Sequence, residues 1–340
     1  MIKDNKFDDC NYINEGDSGV YLVYVEKIFS DATGDISYIR NVTFNNIKTN
    51  AISFGGFEEV DAANPGTGDF IIEDVHVMDS TFKSPDSLMQ TKKYSYTGNA
   101  KFIVRESTFK NLDFNKFGNV FAMNHNAKQT IDLIDVTFQN IFGAGIRLEP
   151  QDIFDTDNPL QLRIESSSFL ENKPFVSGFI DVYENSIVDI VNTEFKDMFS
   201  IGSGSVLLAN YKENTIRIQN STFLNNYAIL GGVFYSQFAS SISCENCTFT
   251  NNLAIRGGVA FLNSNGKLLL KNATMTNNKA LNAPIAYISA CNADFSEFDA
   301  IDMTENTLIT MEELLAKSVD GLANLHADYL TSVENNKEFY

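Results

Sequence analysis

The 340-residue sequence predicts an all-β protein: a single right-handed parallel β-helix of about ten coils, followed by a C-terminal amphipathic helix. Three observations predict this fold. A motif built around phenylalanine recurs with a modal spacing near 26 residues, the length of a stacked supersecondary unit. Each repeat holds two strand-like runs, and no helical periodicity occurs before about residue 308. A propeller blade needs about 40 residues, so a β-helix fits this spacing better.

In most copies the recurring motif has four positions: a polar residue, any residue, a Thr or Ser, and an apolar residue that we call the anchor. NVTF (41–44) is an example. The predicted anchors are Phe44, Phe82, Phe109, Phe138, Phe169, Phe195, Phe223, Phe249, Met275 and Phe295. Equivalent residues of successive coils lie about 4.8 Å apart, so we expect the anchors to stack into an internal aromatic ladder. An asparagine follows several anchors by three residues, which predicts a second ladder at a tight turn. These asparagines are Asn172, Asn226, Asn252 and Asn278.

The two strand-like runs of a repeat differ in pattern. The run before the anchor, such as TIDLIDVTF (130–138), alternates apolar and polar residues, which is typical of a half-buried strand. The run after the anchor follows a turn of small residues, as in GGVFYSQ (231–237) and GGVAFLN (257–263). Strand, turn, strand and turn therefore make up one coil.

Composition limits the classes of function. The 25 basic and 44 acidic residues give a net charge of −19, which argues against nucleic-acid binding. No apolar run approaches the roughly 18 residues of a membrane span, so we expect no membrane insertion by this segment. The first residues carry no secretory signal and read as part of a coil. We therefore expect a segment of a longer polypeptide or assembly.

The period changes near residue 308, which divides the chain into a parallel β-helix (1–307) and a C-terminal segment (308–340). Thr310 and Glu313 have the spacing of a helix capping box. Apolar residues then recur at helical spacing: Met311, Leu314, Leu315, Val319, Leu322, Leu325 and Tyr329. Two interpretations stay open. The segment is a helical cap over the end of the solenoid, or it binds a partner.

Two repeats resemble a known family. Phe223-Leu-Asn-Asn226 with Gly231-Gly-Val233, and the corresponding FTNN and GGV of residues 249–259, are similar to the FxxN and GG-[AILV] repeats of polymorphic outer-membrane proteins. Related repeats occur in large pectin-lyase-like surface proteins of single-celled eukaryotes. The resemblance is good over residues 220–290 and degenerate elsewhere. It implies a β-helical module for adhesion or surface structure, and it does not imply an enzyme.

Polysaccharide lyases and galacturonan hydrolases share this kind of fold, so their chemistry has to be considered. Hydrolysis needs a pair of carboxylates across one groove. The fragments closest to the hydrolase pattern are Asn192-Thr-Glu194 and Arg217-Ile-Gln219, and no Gly-His-Gly occurs. The sequence therefore predicts a protein that is not an enzyme.

Candidate metal and cysteine chemistry is sparse. Asp152, Asp155 and Asp157 could bind Ca²⁺ through their oxygens, although such carboxylates on an acidic surface are usually solvated. We expect no other cofactor. Cys244 and Cys247 form a lone CxxC, too few ligands for zinc, so we expect either a local disulfide or two buried thiols.

Four sequons of the form N-x-[ST] occupy the same place in the repeat, just before the anchor. Their asparagines are Asn41, Asn220, Asn246 and Asn272. If this position faces outward, glycans would form a column on a secreted protein. Alternatively the motif reflects only the residues that the repeat requires.

Together these features predict a non-catalytic, rigid structural or adhesion module at the cell surface or outside the cell. Its partners would be proteins or further copies along the solenoid, and possibly glycans. One alternative is a carbohydrate-binding module, or a polysaccharide lyase or hydrolase, of the same fold. Another is an intracellular scaffold subunit of a larger assembly.

Overall fold

The computed structural model describes residues 2–8, 11–12, 21–24, 35–49, 51–53, 68–82, 88–90, 100–114, 118–123, 129–149, 159–175, 177–211, 214–290, 294–299, 302–310 and 312–314. In several strands, chiefly near the two ends of the chain, it describes the backbone alone. The chain forms a parallel β-solenoid. Each strand pairs in parallel with its counterparts one turn earlier and one turn later.

A 21-stranded sheet forms the first two sides of the solenoid. The first side contains Ala100–Arg105, Gln129–Ile134, Leu160–Glu165, Ser186–Val191, Thr215–Gln219, Ser241–Glu245, Lys267–Lys271 and Asp294–Asp299. The second side contains Thr108–Asp113, Thr137–Phe142, Ser168–Leu170, Glu194–Lys196, Thr222–Leu224, Thr248–Thr250, Thr274–Thr276 and Asp302–Thr304. Near the N-terminus the long strands Ile2–Asp8, Asp35–Asn45 and Gly68–Phe82 run along both sides, and the short strands Asn11–Tyr12 and Lys48–Thr49 continue them.

An eight-stranded sheet forms the third side. Its strands are Met89–Gln90, Asn119–Met123, Ala144–Leu148, Ile180–Val182, Leu207–Ala209, Phe234–Ser236, Ala260–Leu262 and Ala286–Ile288. A four-stranded sheet joins the second and third sides in the last turns and contains Tyr227–Leu230, Leu253–Arg256, Lys279–Asn282 and Thr307–Leu308. A separate two-stranded sheet contains Tyr21–Tyr24 and Ala51–Ser53.

About seven turns cross all three sides among the described residues, fewer than the predicted count of about ten. The sequence analysis counted every anchor as a full coil. A turn is complete, however, only where the chain also crosses the third side. That side has eight strands among the described residues, and eight stacked strands define seven steps.

Left-handed residues form the two corners that flank each strand of the second side. Asn220 (φ 50°) and Asn225 (φ 56°) are one such pair, and Asn246 and Asn251 are the next (φ 55° and 57°). Asparagine adopts this conformation at little cost because its short polar side chain interacts with the local backbone. The polar residues before and after each anchor are therefore a requirement of the corners.

The predicted phenylalanine ladder is present in the core. Phe138, Phe169, Phe195, Phe223 and Phe249 follow one another in register, and none has an exposed side chain. Successive ring centroids are 4.6–5.2 Å apart and the rings are nearly parallel. Such offset stacking adds to the free energy that burial of each ring provides.

The prediction of Phe82 as an anchor is wrong. Val77 pairs with both Phe44 and Phe109, whereas Phe82 pairs with Thr49 beyond the next corner. The physical reason is that the anchor position in the core accepts any apolar side chain, and Val77 is fully buried there. Asp74, three residues earlier, takes the left-handed conformation (φ 54°) that the corner needs.

Phe295 was also wrongly predicted as an anchor. It pairs with Leu268 on the first side of the solenoid. Met303 is the residue that pairs with Met275 in the anchor column. A methionine fills an irregular apolar slot well, so the column continues without an aromatic residue.

The predicted asparagine ladder is confirmed for Asn226, Asn252 and Asn278, whereas Asn172 is separated from them by Met198. The left-handed corner residue is the one just before each ladder asparagine. Asn226, Asn252, Asn278 and Asn306 stack in register, and each donates through Nδ2 to the Oδ1 of the next at 2.8–3.0 Å. Met198 interrupts the column below them, since the Nδ2 of the preceding ladder asparagine lies 3.6 Å from its sulfur.

The predicted C-terminal helix is not confirmed, since a single helical turn, residues 312–314, is the only part of it that the structure describes. The Thr310 hydroxyl accepts a hydrogen bond from the Glu313 N–H at 3.1 Å, and the Glu313 carboxylate accepts one from the Thr310 N–H at 2.7 Å. This reciprocal pair is a capping box. The helix beyond Leu314 and the domain boundary at 307/308 stay predictions.

Candidate binding surface

The outer face of the first side is lined by charges that pair with one another along the axis. Residues of opposite sign lie at the same register position in neighbouring turns, except for Lys101 and Asp132, which are offset by two residues. The pairs are Arg40–Glu73 (3.0 Å), Arg105–Glu73 (3.1 Å), Lys101–Asp132 (2.6 Å), Arg217–Asp189 (3.3 Å) and Lys271–Glu245 (2.7 Å). Because these charges neutralise each other, they hold register and leave little net field for a ligand.

The corner between the first and second sides carries the predicted sequons. Asn41, Asn220, Asn246 and Asn272 are all exposed and left-handed, with φ between 48° and 55°. The Asn246 amide donates to Asn220 at 3.0 Å, and Asn272 donates to Asn246 at 2.6 Å. The repeat thus requires asparagine here for its own geometry. Glycosylation of these exposed side chains stays a prediction.

The outer face of the third side carries a polar cluster that the sequence analysis did not find. It contains Arg147, Glu149, Asp181 and Tyr183. Arg147 and Asp181 are register partners on neighbouring strands. The Arg147 guanidinium donates to the Tyr183 hydroxyl at 3.0 Å, pairs with Glu149 at 3.0 Å, and lies 4.9 Å from the centre of the Tyr183 ring.

Asp181 is the most perturbed carboxyl of this cluster. It is 6% exposed, and its Oδ1 has no hydrogen-bond partner among the described residues. Burial raises the pKa of Asp181 to about 7, although the Arg147 charge lowers it and the Glu149 charge raises it. Burial likewise raises the pKa of Tyr183 to about 12. Asp181 is therefore half protonated near neutral pH.

An aromatic stack continues from this cluster along the corner that follows the third side. Tyr183 stacks on Tyr211 with ring centroids 5.4 Å apart, and Tyr211 stacks on Phe238 at 6.2 Å. We call these three residues the aromatic corner. Tyr211 and Phe238 are each 41% exposed. Both have left-handed backbones, with φ of 70° and 52°, which is costly for a bulky side chain.

A second aromatic stack lies beside it on the outer face of the third side. Tyr235, Phe261 and Tyr287 are register partners with ring centroids 5.3 Å apart. The Arg256 guanidinium lies 5.5 Å from the centre of the Tyr287 ring. Large rings therefore occupy successive outward positions on this side, although Tyr235 and Phe261 are buried and Tyr287 is half-buried.

Cys244 and Cys247 lie on either side of the Asn246 corner, and both are buried free thiols in the structure. Burial raises the pKa of the Cys244 thiol well above its ordinary value, and the neighbouring Cys247 raises it further. A raised pKa leaves little thiolate, so Cys244 is poorly reactive in the folded protein. Oxidation to a disulfide stays a prediction.

The predicted Ca²⁺ ligands Asp152, Asp155 and Asp157 lie outside the described residues. Within the described ranges, no group of three or more His, Cys, Asp or Glu side chains is arranged to hold a metal ion. The same part of the chain contains no helix long and apolar enough to cross a membrane.

The sequence does contain a pattern that identifies the outward residues of the third side. Arg147, Asp181 and Tyr235 are each the middle residue of a three-residue inward–outward–inward segment in the second run of a repeat. The sequence analysis assigned these runs as strands without assigning their outward positions. Alignment of the repeats on their ladder residues would have revealed the outward column.

Comparison with known proteins returned no match: no family model, no curated protein and no solved structure is significantly similar to this chain. The fold and the surface geometry therefore carry the functional argument.

Proposed function

We propose that the protein is a non-catalytic, rigid adhesion or structural module at the cell surface or outside the cell, and that it contacts its partner through the aromatic corner. One observation carries this proposal. Tyr211 and Phe238 are exposed aromatic residues in left-handed backbone, the least favourable conformation for such side chains. Strained backbone of this kind clusters at functional sites. Exposed aromatic side chains are among the residues that contribute most to binding at interfaces.

Rigidity supports a structural role. The buried phenylalanine and asparagine ladders, together with the axial charge pairs, tie each turn to its neighbours through side chains as well as backbone. Each turn contacts only its neighbours, so the molecule is a stiff rod with long flat sides. Such a rod presents a binding surface at a distance from its attachment point.

The repeat motif supports assignment to the polymorphic outer-membrane-protein type of β-helical surface module. Each element of the motif has a physical role here. Asn226 belongs to the buried ladder, and Gly231 is left-handed at φ 66°. A Cβ on Gly232 would lie 2.2 Å from the Gly258 carbonyl oxygen, so only glycine allows the turns to approach.

The test uses the full chain and intact cells of its source. A Tyr211→Ser/Phe238→Ser variant should lose at least tenfold in binding to the cell surface or to immobilised copies of the protein. Leu224→Ser, an outward apolar residue on the second side, serves as the matched control and should bind like the wild type. Equal binding by the corner variant would contradict the proposal, as would new reducing ends or unsaturated products from acidic polysaccharides.

Carbohydrate binding is the second candidate, and the polar cluster favours it. Arg147 and the buried Asp181 offer a donor and an acceptor beside the aromatic corner, a combination suited to sugar hydroxyls. Binding of soluble oligosaccharides on a glycan array, abolished by the corner variant, would support it. Competition by those sugars against cell binding would identify the partner as a glycan.

Localisation outside the cell is tested through the sequons. Glycopeptide mass spectrometry of protein from its native source should find sugar on one or more of Asn41, Asn220, Asn246 and Asn272. Four unmodified asparagines with free thiols at Cys244 and Cys247 would favour the intracellular scaffold instead.

A further inference from the structure

Two buried polar atoms on the third side lack a hydrogen-bond partner and are complementary to each other. They are the Nε of Arg147, which is a donor, and the Oδ1 of Asp181, which is an acceptor, and neither has a partner among the described residues. The two residues are register partners on Ala144–Leu148 and Ile180–Val182, so their Cα atoms lie about 4.8 Å apart. A rotation of the arginine side chain would therefore join this donor to this acceptor.

The guanidinium of Arg147 is directed along the strand and away from Asp181. Glu149 and Tyr183 lie two residues beyond Arg147 and Asp181 respectively, so all four side chains belong to the outer face. The guanidinium pairs with the Glu149 carboxylate at 3.0 Å and donates to the Tyr183 hydroxyl at 3.0 Å. Arg147 thus lies between two sets of acceptors and occupies one of them.

Arg147 is the only cation that acts on Asp181 among the described residues. Burial raises the pKa of Asp181 to about 7, whereas the Arg147 charge lowers it and the Glu149 charge raises it. The next outward residue on the same strand is Tyr183, and the register partner on the following strand is the apolar Leu208. A buried carboxylate without a partner is far less favourable than the neutral acid. Ionisation of Asp181 should therefore draw the guanidinium towards it.

We propose that Arg147 is a two-position switch, which binds Tyr183 and Glu149 while Asp181 is neutral and turns to Asp181 when that carboxyl ionises. The effect on binding rests on the proposed role of the aromatic corner, to which Tyr183 belongs. Arg147 holds Tyr183 through its hydroxyl and lies 4.9 Å from the centre of its ring, and Tyr183 stacks on Tyr211 at 5.4 Å. Departure of Arg147 loosens this stack, so binding through the corner weakens as the pH rises through neutrality.

The first experiment observes Arg147 directly, by NMR of the full chain with ¹⁵N-labelled arginine. The chain has six arginines, and Arg147→Lys identifies the Nε resonance of Arg147. This resonance should shift between pH 6 and pH 8, because Nε gains a carboxylate acceptor, and it should move further than that of any other arginine. Asp181→Asn should abolish the shift. Asp189→Asn, which removes an exposed carboxylate paired with Arg217 on the first side, is the matched control and should preserve it.

The second experiment measures binding of the full chain to cells of its source at the same two pH values. The wild type and Asp189→Asn should bind at least tenfold more weakly at pH 8 than at pH 6, whereas Asp181→Asn should bind equally at both. The Tyr211→Ser/Phe238→Ser variant should bind poorly at both, and so reports the proposed function separately.

The outcomes separate the switch from the proposed function. An Arg147 resonance that does not move would overturn the switch, as would wild-type binding that is independent of pH while the Tyr211→Ser/Phe238→Ser variant stays defective. Wild-type binding by that double variant would overturn the proposed function and with it the effect on binding. The Arg147 resonance would still decide whether the arginine has two positions.

Discussion

The side-chain amide of Asn226 donates a hydrogen bond to the side-chain oxygen of Asn252, one turn further along the solenoid, at 3.0 Å. The same oxygen accepts the backbone N–H of Asn226 at 3.0 Å, and the Asn252 amide donates to the Phe223 carbonyl at 3.0 Å. Asn252 thus satisfies buried backbone groups at a corner where no strand partner is available.

Asn252→Ala should lower the free energy of unfolding by roughly 2–4 kcal/mol, because it leaves several buried groups unpaired. Asn251→Ala is the control, since Asn251 is exposed and left-handed at the same corner. Its effect should be about 1 kcal/mol or less. Urea denaturation of the two variants checks this. Equal losses would show that the buried ladder adds nothing beyond the corner geometry.

The anchor column should tolerate exchange for methionine and not for alanine. Phe249→Ala should cost about 3–5 kcal/mol, because it opens a cavity between Phe223 and Met275. Phe249→Met should cost less than about 1.5 kcal/mol, because the next turn already uses methionine in the same column. Thermal and urea unfolding distinguish the two. A severe loss in the methionine variant would mean that ring stacking, and not apolar volume, holds the column.

Asp181 should make the stability depend on pH. Its pKa is raised from 3.8 to about 7 on folding, so the folded protein binds a proton that the unfolded chain releases in this range. Stability from this group is therefore complete below pH 3.8 and is lost as the pH rises to about 7, by up to about 1.4 kcal/mol per pH unit. Arg147, Glu149 and Tyr183 are the charged or titratable groups that share the site.

Asp181→Asn supplies the measurement. Asparagine keeps the shape of the protonated acid and carries no charge, so the variant should equal the wild type near pH 4 and exceed it in stability at pH 8. The difference between the two urea midpoints across this range isolates Asp181 from other titrating groups. A wild type that is the more stable protein at pH 8 would show that the Asp181 charge is favourably paired.

The contribution of each axial charge pair to the free energy of unfolding should depend on how deeply the pair is buried. Glu73→Gln should destabilise by roughly 2 kcal/mol, because it removes two charge-assisted contacts of a side chain that is 10% exposed, whereas Arg40 and Arg105 stay partly solvated. Glu245→Gln breaks an equally short pair with Lys271 in solvent and should change the unfolding midpoint little. Equal destabilisation by the two variants, measured by urea denaturation, would contradict this division.

The parts of the fold that depend on repetition could be predicted from the sequence. The anchors from Phe109 to Met275 and the ladder asparagines Asn226, Asn252 and Asn278 were identified because their side chains recur at similar spacing. Phe82 and Phe295 were assigned wrongly because apolarity, not aromaticity, defines the slot, and Val77 satisfies it. The polar cluster of Arg147 and Asp181 could not be predicted, since it depends on which residues of neighbouring turns share an outward column.

The continuous asparagine column begins at Asn226, so the turns before it are the weaker part of the rod under mechanical load. Tension along the axis pulls directly on the bonds between turns, so the turns share the force in series and the weakest step yields first. From Asn226 to Asn306 each step carries an additional amide–amide bond, whereas the steps on either side of Met198 carry none. The rod should therefore part before Asn226, leaving the C-terminal turns intact as one body.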